Sequence, residues 1–560
     1  MERLPLAYPP GMSAASSILA RQLHLPRALS PDVVCERDLP AAMDDGAVLL
    51  ADRWVLRSAR ERPQPTVVVR SPYGRRGVLA VLFGRLLAER GLQVLLQSVR
   101  GTFGSGGTFD PFDERADGLA TLGWLRRQPW HSGRIGMLGP SYMGLVQWAV
   151  APEAGEDLAA LAIQVSASQF HGQVFAGGSL SLETAASWLA LVAAQERRFA
   201  PVAIARALRR LPAVLSELPL GELDMRATGE QVEWFRQAIT NVERADAYWV
   251  ARDFAAGVAG VSAPVQLIGG WYDIFLPWML EDFRALRAAG RNPQLVIGPW
   301  THTAPGLLSA GVRHGLGWLR AHLLDDHRLV PPSSVRVFVT GERAGGGWRD
   351  LGDWPPPGVE ERRLHLDHGG HLRDSAPERS SGADRYRYDP RDPTPSLGGP
   401  VLLAREPVMD NRPLEARADV LTYATAPLRS ALEAIGPVRV DLWVRASSPY
   451  FDVFARVCDV DGAGVSLNVC DALVRADPDR FPALSDGSVR VAFELWPMAH
   501  RFAAGHRIRL QVSSGAHPRY ARNPGTGEEH TLASRLRAVD VEVLRDGEHP
   551  SVLVLPAGGR

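Results

Sequence analysis

The sequence predicts an α/β domain built on a parallel sheet and interrupted by a helical insertion, followed by an all-β sandwich. Three observations predict it. Apolar, β-branched runs alternate with helical patterns as far as about residue 332, as successive βαβ units require. Between 168 and 250 the strands drop out and only helical patterns remain. From Val335 onward, short alternating strands are punctuated by Gly, Pro and Asp, the pattern of a sandwich. The expected divisions are 1–167 with 251–332 for the α/β domain, 168–250 for a helical cap and 335–560 for the sandwich.

Composition narrows the function classes. The chain has 560 residues, 46% hydrophobic and 22% charged, with 62 basic residues against 62 acidic ones. A balanced charge gives no general attraction to nucleic acid or an anionic membrane. Three scattered cysteines (Cys35, Cys458, Cys470) supply neither a disulfide framework nor a zinc site, so no metal or other cofactor is expected. Pro9-Pro10 precedes any long apolar run, which argues against a signal peptide, and no window resembles a membrane span. The expectation is a cytoplasmic, soluble protein with neither a nucleic-acid nor a membrane partner. Its oligomeric state is open, a homodimer included.

Taken in order, a short helix is expected near Ser16–Leu23. Two strands follow between Val33 and Leu56, joined by Asp44-Asp45-Gly46. Thr66–Arg70 is a compact strand ending in Ser71-Pro72-Tyr73-Gly74. A helix spans about Val78–Arg90 and stops at Gly91, a common C-terminal residue. Leu92–Gln97 is the next strand. The glycine run Arg100–Gly107 lacks a Lys-Ser/Thr and a complete G-x-G-x-x-G, so it reads as a tight turn rather than a phosphate cradle. A helix at Asp113–Arg127 leads to the strand Ile135–Leu138, and Leu161–Val165 is a further strand. The insertion carries helices at Leu182–Arg198, Val202–Leu211 and Gln231–Ile239, placed to form a lid over strand ends where ligands bind. Strands at Pro264–Gly269 and Gln294–Ile297 resume the alternation, with a helix at about Pro277–Ala289 between them. The polar segment Asp374–Pro400 reads as a long surface loop.

One junction carries chemistry. Gly139-Pro140-Ser141-Tyr142-Met143-Gly144 lies between a short apolar strand and an amphipathic helix. Glycines beside a serine at such a turn match the nucleophile elbow, in which the serine oxygen stands clear of the sheet edge and the next N–H faces the attacked carbonyl. An ordinary Gly-rich turn is the alternative. The commonest elbow has glycine two residues after serine, whereas here Met143 stands there and Gly144 follows. An elbow serine needs a base and an acid that orients it. Asp273 follows the strand ending at Gly269, and His302 follows the strand ending at Ile297. Their order after Ser141 is the one this arrangement uses.

These motifs resemble the CocE/NonD and X-prolyl dipeptidyl-peptidase family of serine hydrolases, which includes cocaine esterase, α-amino-acid ester hydrolases and glutaryl-cephalosporin acylases. That family's elbow is G-x-S-Y-x-G, with the later glycine. Its acid lies in a segment like Gly270-Trp271-Tyr272-Asp273, and its histidine in one like Gly298-Pro299-Trp300-Thr301-His302. Its P-Y-G segment matches Pro72-Tyr73-Gly74. Leu421–Pro427, Gly505–Arg509 and Pro518–Pro524 resemble its C-terminal region. The resemblance spans about residue 33 to near the end. It implies an α/β-hydrolase domain with an inserted helical cap, followed by an all-β jelly-roll domain. It also implies a Ser141–His302–Asp273 triad, with Tyr73 O–H and Tyr142 N–H as the oxyanion hole. Trp271, Tyr272, Phe275 and Trp300 are candidates for the substrate pocket, though such aromatics also serve as packing residues.

Family members that select a free α-amino group use a cluster of carboxylates, and in the α-amino-acid ester hydrolases two of these lie immediately after the catalytic aspartate. Here those places read Ile274-Phe275-Leu276. An ammonium placed there loses hydration without a counter-charge. The expectation is therefore an esterase for neutral acyl groups, with X-Pro dipeptidyl-peptidase or α-amino-acid ester or amide acylase activity as the alternative. Glu183 and Glu196 of the lid are the acids that could restore it. A non-catalytic binding protein is the competing class.

Overall fold

The computed structural model describes residues 11–341, 346–377, 382–403 and 406–557. The chain forms two compact units. The first runs to Phe170 and resumes at Ala247–Gly270 and Trp278–Ser334; the second holds His171–Asp246, Trp271–Pro277 and Val335 onward.

The first unit is organised on strands β1 (Val33–Ala42), β2 (Val48–Leu56), β3 (Gln64–Ser71), β4 (Gln93–Ser98), β5 (His131–Pro140), β6 (Leu158–Gln164), β7 (Val265–Tyr272) and β8 (Gln294–Thr301). Their order in the sheet is β1-β2-β4-β3-β5-β6-β7-β8. β1, β2 and β4 pair antiparallel, whereas β4-β3-β5-β6-β7 pair parallel. The parallel strands are buried along nearly their whole length, as strands covered on both faces must be. One layer beside them is the helix Pro305–Leu324, where Gly315 lies against Leu138 so closely that a Cβ would sit 2.7 Å from that side chain.

The helix expected at Val78–Arg90 is found from Gly77 to Ala88, but its middle, Ala80–Arg85, is wound as a π-helix. Gly84 there rests on the Trp54 ring, 2.8 Å from where a Cβ would be. The Arg100–Gly107 run is a turn: Gly101 has φ +68°, and a Cβ on it would lie 2.1 Å from the Phe109 nitrogen. Arg100 ties it down through Asp117 and Asp45.

The second unit contains an antiparallel β-sandwich and the helical insertion. Long strands such as Leu432–Ala446, Phe451–Val460 and Val489–Phe502 carry it. The insertion, with helices Leu182–Ala194, Ala200–Val214 and Glu233–Thr240, is fastened to the sandwich. The Glu183 N–H donates to the Pro518 carbonyl at 3.1 Å and the Ala521 N–H to Leu180 at 2.9 Å, while Gly177 sits directly on the Leu473 carbonyl.

One expectation is corrected. The polar segment Asp374–Pro400 is not a loop throughout, because Ala383–Tyr388 forms a strand paired with Val539–Leu544. Its alternation buries Tyr386 and Tyr388 and leaves Arg385 and Arg387 exposed, a half-buried edge pattern masked by the segment's overall polarity. Residues 378–381 of that segment lie outside the described residues. The three cysteines are buried and form no disulfide. Among the described residues, no helix is long and apolar enough to cross a membrane.

Candidate active site

Ser141 stands at the junction expected of it, between β5 and the helix Tyr142–Trp148. Its backbone has φ 58° and ψ −126°, a region that a residue with a Cβ enters only under strain. The Ser141 N–H donates to the Gln164 carbonyl at 2.9 Å, and its carbonyl accepts from the N–H groups of Gly144 and Leu145 at 2.8 and 3.2 Å. The conformation is thus held from both sides. Gly144 is explained by packing: a Cβ there would lie 2.4 Å from the Ser166 Cβ.

Behind the serine, the Tyr142 side chain is wholly buried and its hydroxyl is saturated. It donates to Glu114 Oε1 at 2.6 Å and accepts from the Phe112 N–H at 3.0 Å. The Arg70 guanidinium lies 2.8 Å from Glu114. Burial raises the Glu114 carboxyl above its ordinary value, against the opposing pull of Arg70 and Tyr142. Phe112 reaches this position with φ 74°, and its ring packs on Tyr142, Phe170 and Trp249. Sequence reasoning missed Arg70, Phe112 and Glu114, since nothing local distinguishes a buried glutamate from a surface one.

Tyr73 is half-buried at the end of β3, packed against the core, with its N–H donating to Ser71 Oγ at 3.0 Å. The turn is anchored by Arg75, another residue the sequence did not single out. Its guanidinium bonds Asp52 Oδ1 at 3.2 Å, Ser98 Oγ at 3.0 Å and the Phe103 carbonyl at 2.7 Å, and also reaches Asp38. Gly74, at φ +86°, faces the Phe103 ring 2.9 Å from where a Cβ would be.

His302 follows the last residue of β8 and is half-exposed; Asp273 follows the last residue of β7 and is fully buried. Both strands run further than expected, which leaves each residue directly at a strand end. Asp273 Oδ1 accepts the Phe275 N–H at 2.9 Å, so the backbone orients the carboxylate. Ser141, Tyr142, Tyr73 and His302 belong to the first unit; Asp273 belongs to the second.

The aromatic candidates have definite surroundings. The Trp271 indole N–H donates to the Phe338 carbonyl at 2.6 Å, and its ring packs on Trp354. Tyr272 and Phe275 are buried, and burial, followed by the nearby Cys470, pushes the Tyr272 hydroxyl above the usual phenol range. Trp300 packs with Val165, Ile268, Val296 and Leu307, and its ring occupies the space beside Gly298 and Gly306. Ile274 and Leu276 are buried as well. Of the lid acids, Glu196 is exposed, whereas Glu183 is half-buried and raised chiefly by desolvation, with Arg519 opposing.

A family model described as X-Pro dipeptidyl-peptidase (S15 family) matches residues 45–304, and one for the X-Pro dipeptidyl-peptidase C-terminal non-catalytic domain matches 330–554. The chain is 30% identical over 567 residues to the cocaine esterase of Rhodococcus sp. (strain MB1 Bresler), covering 92% of this chain and 97% of that one. Among solved structures, an α-amino acid ester hydrolase superposes with a TM-score of 0.79 at 21% identity, over 95% of this chain and 98% of that one. A CocE/NonD family hydrolase from Staphylococcus aureus does so with a TM-score of 0.68 at 16% identity, over 94% of each chain. At those identities the superpositions establish the fold. With the two family matches and the full-length relative, the chain belongs to the CocE/NonD and X-Pro dipeptidyl-peptidase (S15) family of α/β-hydrolases and is a serine hydrolase.

Proposed function

We propose that this enzyme hydrolyses small carboxylic esters with neutral acyl groups through an acyl-enzyme on Ser141. In this reading Ser141 Oγ attacks the ester carbonyl as its proton passes to His302, oriented by Asp273. The oxyanion is held by the Tyr142 N–H and the Tyr73 O–H until the alkoxide leaves with the proton from His302. Water, deprotonated by His302, then adds to the acyl-enzyme, and its collapse returns Ser141 and releases the acid. The observation that carries the neutral-acyl preference is the buried run Ile274-Phe275-Leu276 beside Asp273, which offers no counter-charge to a substrate ammonium. Glu183 is a poor substitute, because burial favours its uncharged form. The full-length relationship to an enzyme named cocaine esterase supports the same reading.

The test has two parts. A fluorophosphonate probe should label Ser141; a folded protein that stays unlabelled points to the binding-protein alternative. Then kcat/KM is compared for a free α-amino ester and its N-acylated counterpart. A tenfold or greater preference for the free amine, about 1.4 kcal/mol, would restore the X-Pro dipeptidase or amino-ester reading.

A further inference from the structure

The second unit carries a cleft that no step of ester hydrolysis uses. Its volume is about 830 Å³, and it lies among the strands Glu360–Asp367 and His371–Arg373, the loop 425–431 and the start of the strand Leu432–Ala446. That loop is fixed in place: the Leu428 N–H donates to the His506 carbonyl and the Leu428 carbonyl accepts from the Gly505 N–H, both at 2.8 Å.

The charge of this cleft is lopsided. Four arginines line it, Arg362, Arg373, Arg429 and Arg507, against one carboxylate, Asp374. Arg362 is bound to Asp374 through Nε at 2.9 Å and Nη2 at 3.1 Å, and Arg373 is paired with Asp367. Arg429 and Arg507 have no carboxylate partner among the described residues, and both are exposed. Arg507 is held by donating from Nη1 to the Thr425 carbonyl at 2.9 Å, which leaves the rest of its fork to face a ligand. Two uncompensated guanidinium groups share one concavity in a chain whose formal net charge is zero, so the excess is local.

We propose that this cleft binds a small multivalent anion, a di- or tricarboxylate or a polyphosphate, at a site separate from Ser141. Guanidinium forks match the planar geometry of carboxylate and phosphate oxygens and bind them bidentately. The volume suits a ligand of small-molecule size. Two positive centres in one concavity favour ligands with at least two negative groups over monoanions.

Titration calorimetry on the full chain at constant ionic strength tests this, with citrate and pyrophosphate as probes and acetate as the monoanion control. Saturable binding of citrate, pyrophosphate or both is expected, with acetate at least tenfold weaker; whichever probe binds tighter identifies the carboxylate or the phosphate source. The Arg429→Gln/Arg507→Gln variant should weaken binding at least tenfold, while hydrolysis of p-nitrophenyl acetate stays unchanged and reports an intact fold. Asp374→Asn, which releases Arg362, should tighten binding. No saturable binding up to about 10 mM of either probe, equal affinity in the double variant, or unchanged or weaker binding in Asp374→Asn would each overturn the proposal.

Discussion

The Tyr142 hydroxyl donates to Glu114 Oε1 at 2.6 Å in a fully buried setting, and this bond ties the residue after the candidate nucleophile to a carboxylate 28 positions earlier. Tyr142→Phe leaves both Glu114 Oε1 and the Phe112 N–H without that partner. Losing a buried partner of this kind costs about 1–3 kcal/mol, to be read by urea denaturation. If the Tyr142 N–H serves the oxyanion, kcat falls more than KM changes. Wild-type stability and kcat would show that the pair neither holds the fold nor sets the elbow.

Ser141 is expected to separate activity from stability. Its φ of 58° suits glycine better than any residue with a Cβ, so Ser141→Gly should raise stability by about 1 kcal/mol while abolishing turnover. Ser141→Ala keeps the strain and should be equally inactive without that gain. Substantial turnover in either variant refutes the nucleophile assignment.

Tyr73→Phe removes one hydroxyl and little volume. As an oxyanion donor, Tyr73 should contribute a factor of about 10²–10³ to kcat, with thermal stability nearly unchanged because the ring still packs on the core. An unaltered kcat, measured where acyl transfer limits the rate, leaves Tyr73 as a packing residue.

Asp282 should set a pH dependence of stability. On the helix Leu276–Ala288 it accepts the Ser168 N–H at 2.8 Å and the Ser168 hydroxyl at 2.5 Å, and burial pushes its carboxyl up to about 8. The folded protein therefore keeps a proton that the unfolded chain releases above its ordinary value of 3.8. Stability from this group is full below that value, falls by up to about 1.4 kcal/mol per pH unit as pH rises, and levels off above about 8. Asp282→Asn can still pair with both Ser168 groups, so its advantage over wild type should grow between pH 5 and 8. A difference that stays flat across that range contradicts this account.

Much of the strand–helix alternation and of the candidate site was legible because its signals are local. Apolar runs of strand length, the glycines at Gly139 and Gly144, and the positions of Asp273 and His302 after strands all follow from residues a few places apart. The order Ser141, Asp273, His302 needed only the alternation of strand and helix. The tertiary structure decided what depends on partners distant in sequence. A buried carboxylate such as Glu114 looks like any surface acid until Arg70 and Tyr142 close on it, and Arg75 looks like an exposed cation until Asp38, Asp52 and Ser98 surround it. The strand Ala383–Tyr388 was hidden because its buried face is only two tyrosines in a polar segment; pairing with Val539–Leu544 is what makes it a strand. Helical periodicity marks the insertion's helices, but it carries no information about what they dock on. That was decided by long-range fits such as Gly177 on the Leu473 carbonyl, where only a residue without a side chain allows two backbones to meet.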